Sequence, residues 1–119
     1  MTPKEITDKW KILTKKLALE FDSEQPDLQI VLFLIGVQEL GKGKQKFSKR
    51  QKEELMHIAV CRLLSELGYY TLKGLDGQGW PIWKLNKKIS NYSSMEQEYL
   101  LKSLAVLYFK DIFNEDNHI

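Results

Sequence analysis

Cysteine is almost missing from this chain. Cys61 is the only one in 119 residues, so no intrachain disulfide can brace the fold, and cysteine-poor chains fit a reducing compartment. Long apolar runs are missing too. The longest uninterrupted one, Ile30 to Ile35, falls far short of the ~20 residues that cross a bilayer. The first residues, Met1-Thr2-Pro3-Lys4-Glu5, show no apolar signal core and no small-residue cleavage site. The expectation is a cytoplasmic protein with no membrane partner, in which the sequon Asn91-Tyr92-Ser93 is a chance occurrence. Proline and glycine are sparse, and no linker, repeat or low-complexity tract interrupts the chain, which predicts a single domain over residues 1–119. A chain of 14.0 kDa buries about two-thirds of its unfolded surface, enough for one core without a structural metal.

The hydrophobic pattern is mainly helical. Thr2-Pro3-Lys4-Glu5 reads as a capping box with proline at the first helical position, followed by an apolar stripe of Ile6, Trp10, Leu13, Leu17 and Phe21. Pro26 suits the first turn of a second helix that runs to about Leu40 and stops at Gly41. Its residues are apolar around most of the circumference, as in a buried helix. Ser48-Lys49-Arg50-Gln51 opens a third helix ending near Leu67, with Met56, Ala59, Val60, Leu63, Leu64 and Leu67 as its stripe, widened by Ile58 and Cys61. Ser93-Ser94-Met95-Glu96 opens a fourth, to about Phe113, burying Leu100, Leu101, Leu104, Ala105, Leu107, Tyr108 and Ile112 and leaving residues 114–119 to fray. Between the last two helices, Tyr69 to Leu85 has strand-like composition around Asp76-Gly77, a hairpin signal. The fold expected is all-α or nearly so: about a four-helix bundle with a small β-hairpin, or an ordered loop, between helices three and four.

The stretch from His57 through Cys61-Arg62-Leu63-Leu64, then Gly68-Tyr69-Tyr70 and Gly79-Trp80-Pro81, resembles uncharacterised bacterial proteins of similar length, over the middle third of the chain. The resemblance implies a bacterial source. It brings no activity and no site residue.

Several motifs suggest chemistry and fall short of it. Gly36 to Lys42 has the outline of a phosphate-binding loop, but Gly43 stands where Ser or Thr would hold magnesium, and the preceding residues continue a buried helix where a strand is required. Glu54, His57 and Cys61 share one edge of the third helix, where His57 and Cys61 offer either a metal pair or an activated thiol. Zinc needs three or four protein ligands and the only other histidine is His118, so the plainer reading is a buried cysteine beside a boundary histidine. No cofactor, metal ligand set or catalytic residue is assigned.

Two surfaces remain. Lys42, Lys44, Lys46, Lys49, Arg50 and Lys52 form a basic segment with no acid in it; with a formal net charge of +2, removing these six leaves −4 for the rest. Such a segment attracts polyanions, although only Phe47 interleaves with the cations and no nucleic-acid-binding signature is present. The second surface is the aromatic group Tyr69, Tyr70, Trp80 and Trp83. Strand alternation sends neighbours to opposite faces, so one large aromatic on each arm is expected to face outward as an interface or pocket, unless the cluster caps the helical core. The leading expectation is therefore a non-enzymatic protein that docks a protein partner or a second copy through residues 69–83. Sequence-independent binding of nucleic acid or another polyanion through the basic segment is the alternative, and a metal or thiol site at His57 and Cys61 the third. Asp76, Gln78 and Asn86 could also meet in the fold as a polar site.

Overall fold

The computed structural model describes residues 2–43, 45–89 and 91–116. They form four helices, α1 (Pro3–Glu20), α2 (Leu28–Leu40), α3 (Lys49–Ser65) and α4 (Ser94–Asp116), and two strands, β1 (Tyr70–Leu75) and β2 (Pro81–Leu85). The chain is mainly helical, with one antiparallel hairpin between α3 and α4 in sequence. Two compact units are distinguishable, Met1–Leu28 with Tyr92–Ile119, and Gln29–Asn91.

In the first unit α1 packs along α4. The Thr2 hydroxyl caps α1 by accepting the Glu5 amide at 3.2 Å, and Ile6, Leu13 and Leu17 are buried. Phe21, read as the end of the α1 stripe, lies past the last turn as the C-cap and is exposed. Ser93 and Glu96 exchange side chain-to-amide hydrogen bonds of 3.1 Å in both directions, a complete capping box at the start of α4. The buried side of α4 is Leu104, Ala105 and Phe109, with Phe113 stacked on Phe109 and the Lys16 ammonium 3.9 Å above Phe113. Leu107 faces solvent, because it sits two positions from Phe109 and the two cannot share a helical face. The helix continues three residues past Phe113, to Asp116.

The second unit, Gln29–Asn91, holds α2 from its second residue, α3 and the hairpin. Pro26 precedes α2 rather than entering its first turn, and Gly41 (φ +70°) ends it, donating its amide to the Val37 carbonyl. Ser48 and Gln51 form the capping box of α3. The two helices approach backbone to backbone at Gly36 and Leu55: a Cβ on Gly36 would lie 2.2 Å from the Leu55 carbonyl oxygen. Arg62 ties the same helices together, its guanidinium 3.3 Å from the Glu39 carboxylate. Leu55 is fully buried although it lies outside the apolar stripe read from the sequence, and Leu67 at the end of that stripe is exposed. Helix α3 is covered on two sides, by α2 and by the hairpin, so its buried surface is broader than one stripe.

Candidate interaction site at the hairpin

The hairpin packs on α3. Its register pairs Tyr70 with Leu85, Leu72 with Trp83, Gly74 with Ile82 and Leu75 with Pro81. Lys73 has no partner: a bulge between Leu72 and Gly74 adds one residue to β1. Directly paired residues share a face, so Tyr70, Leu72 and Leu75 lie on the same side as Leu85, Trp83 and Pro81. Without the bulge, Leu75 would point the other way.

The connection is longer than a two-residue turn. Asp76 donates its amide to the Trp80 carbonyl (2.8 Å), and its carboxylate accepts the amides of Trp80 (2.9 Å) and Gln78 (2.8 Å). Those two bonds, the one from Trp80 first, hold the Asp76 carboxyl below its usual range. The left-handed position belongs to Gly79 (φ +83°), not to Gly77. At the opposite end, Asn86 donates to the Thr71 hydroxyl (2.5 Å) and, through its backbone, to the Tyr69 carbonyl (2.8 Å). Asp76 and Gln78 therefore meet at the turn, while Asn86 staples the open end; the three do not form one polar site.

The aromatic residues turn inward, which corrects the expected outward ring on each arm. Tyr69 is buried, Tyr70, Trp80 and Trp83 are half-buried, and none of the four is exposed. Alternation fails as a guide because two of them stand outside the strands. Tyr69 lies in the connection between α3 and β1, its amide bonded to the Leu64 carbonyl, and Trp80 belongs to the turn. Trp80 and Trp83 pack with Phe33, Val37 and Phe47 on a core of Leu40, Leu55 and Ile58; Phe47 meets Trp80 edge-on at 6.4 Å. The Trp83 indole N–H is buried with no hydrogen-bond partner among the described residues.

What the hairpin exposes is aliphatic. Leu72 is 51% exposed, Leu75 64% and Leu85 49%, all on the face that carries Trp83, while Ile82, 45% exposed, lies on the opposite face. Leu72 and Leu85 are diagonal neighbours across the strands, and Leu75 follows Leu72 on the same face past the bulge. Composition hid this ridge, because scattered leucines in a strand carry no signal until the register is known.

Beside the ridge, an open groove of about 450 Å³ runs between α3 and the turn, lined by Glu53, Glu54 and His57 on one side and Asp76, Trp80 and Pro81 on the other. Arg50 lies at its edge, 3.8 Å from the Glu54 carboxylate.

His57 and Cys61 do come together, with Nε2 3.5 Å from Sγ, and the His57 ring meets Tyr70 edge-on. The thiol is nevertheless buried, and burial pushes its pKa up to about 11, against a smaller lowering by its hydrogen bond with Tyr70. That is the wrong direction for a nucleophile. No group of three or more His, Cys, Asp or Glu side chains suited to a metal ion occurs among the described residues, and His118 lies outside them. At pH 8 the native thiol should react about a hundredfold more slowly with an aromatic disulfide reagent than an ordinary thiol of pKa 9.0. Equal rates in native and urea-unfolded protein would contradict the buried, protonated thiol.

The basic segment is divided by the fold. Lys42 folds back onto the turn, its ammonium hydrogen-bonded to the Gln78 carbonyl and close enough to Asp76 to favour its charge. Lys44 lies outside the described residues. Lys46, Lys49 and Lys52 are exposed, and Arg50 pairs with Glu54. Among the described residues no helix is long and apolar enough to cross a membrane. No protein-family model matches the chain, and no curated protein or solved structure matches it either.

Proposed function

We propose that this protein is a non-enzymatic interaction protein that docks a protein partner, or a second copy of itself, through the hairpin. The observation that carries this reading is the ridge of Leu72, Leu75 and Leu85, three aliphatic side chains about half exposed or more on one face of the hairpin. Continuous exposed apolar surface on a soluble domain marks a contact site, whereas single exposed residues need no explanation. Ile12 and Leu19, exposed on α1, are of the second kind: they stand two turns apart with Lys15 and Lys16 between them.

Docking uses side chains rather than an added strand in this reading. Pro81 removes a backbone donor from β2, Lys84 stands on the same strand, and the bulge at Lys73 interrupts β1; all three blunt sheet edges. The aromatic residues Tyr69, Tyr70, Trp80 and Trp83 contribute by holding the ridge in place. Polyanion binding through the basic segment is the weaker reading, since Lys42 is engaged at the turn and Arg50 is paired with an acid.

The test is the double variant Leu72→Gln, Leu85→Gln. Both side chains are about half exposed, so the fold should lose little stability, while association should weaken at least tenfold. An unchanged dissociation constant in a dilution series, with the variant still folded, would sink the proposal.

A further inference from the structure

The ridge adjoins surfaces of both charge signs. Glu53, Glu54 and Asp76 put three carboxylates around the groove, Glu54 3.8 Å from Arg50 and Asp76 within the influence of Lys42, and the half-buried Trp80 lines it with them. Immediately beside it, Lys49 stands one turn before Glu53 on α3, Lys52 is next to it in sequence, and Lys46 projects from the preceding loop. The side chains of Glu53, Lys46, Lys49 and Lys52 have no ion-pair partner among the described residues. Adjacent patches of opposite sign are self-complementary about a two-fold axis: each cationic patch can face the other copy's acidic groove, and every contact then forms twice.

Resting on the docking reading above, we infer that the partner is a second copy of this chain, with Lys46, Lys49 and Lys52 of one copy set against the Glu53, Glu54 and Asp76 groove of the other. The leucine ridge continues the contact beyond the charges. Exposed charges supply orientation and salt dependence more than affinity, so the dimer is weak and reversible.

Light scattering during size-exclusion chromatography reads the outcome directly. The wild-type chain should be dimeric at about 0.01 M salt, where screening extends roughly 30 Å, and monomeric at about 1 M, where it extends roughly 3 Å. The variants Glu53→Lys, Glu54→Lys and Lys49→Glu, Lys52→Glu should each be monomeric at low salt, and an equimolar mixture of the two should form a heterodimer. Recovery on mixing separates charge pairing from damage to the fold; should either variant melt early, the Gln substitutions at the same positions replace it and must weaken the dimer. A wild-type monomer at low salt, or no heterodimer from two folded variants, overturns the inference. If the charge variants still dimerise and only Leu72→Gln, Leu85→Gln abolishes association, the paired charges are wrong and the ridge reading stands. Association that survives all of these variants ends both.

Discussion

Replacing Gly36 by alanine should destabilise the protein by about 3 kcal/mol, although alanine is the better helix former by about 1 kcal/mol. The added Cβ would stand 2.2 Å from the Leu55 carbonyl oxygen, 2.7 Å from its carbonyl carbon and 2.9 Å from its Cβ. Two of those three atoms are backbone in the middle of α3, so no side-chain rotation relieves the clash. Either α2 and α3 separate or Leu55 leaves the core it occupies with Leu40 and Ile58. The steric term therefore outweighs the propensity gain. A thermal melt followed by circular dichroism should show the midpoint falling by about 10 °C. A rise in the midpoint, the usual result for an exposed helical glycine, would mean that the helices do not meet at Gly36.

The second large effect is expected from Trp80→Ala, at about 2–3 kcal/mol, below the full cost of deleting a buried tryptophan because the side chain is only half-buried. Trp80 spans the turn and the core: it packs on Phe47, Leu55 and Ile58 and its backbone closes the Asp76 loop. Its loss should loosen the hairpin and with it the leucine ridge. Association would then fall for a structural reason, which is why Leu72 and Leu85 are the informative positions for docking. Near-ultraviolet circular dichroism and a urea melt separate the two. A variant as stable as wild type that no longer associates would return Trp80 to the role of an exposed anchor.

Local signals in the sequence were reliable where local hydrogen bonds decide the structure. Ser48 with Gln51 and Ser93 with Glu96 start helices through contacts three residues apart, and Gly41 ends one through its own left-handed backbone. The mainly helical fold with a hairpin after α3 follows from those signals together with the hydrophobic period. The faces of the hairpin were not legible, because alternation holds only inside a regular strand. Tyr69 and Trp80 fall just outside, and the bulge at Lys73 shifts every later residue of β1 by one. Gly36 was hidden for another reason: its meaning lies in Leu55, nineteen positions away, and a loop-like spacing of glycines offered a false context. The groove unites Glu54 and His57 with Arg50, Trp80 and Asp76, residues that belonged to separate motifs in the linear chain.

The central claim is that the hairpin and the adjoining edge of α3 form the contact surface. Amide NMR spectra of the uniformly labelled chain, recorded through a dilution series at low salt, test it residue by residue. Concentration-dependent shifts and broadening should cluster at residues 49–58 and 70–85 and disappear at high salt. Spectra that do not change with concentration, or changes confined to α1 and α4, would contradict it.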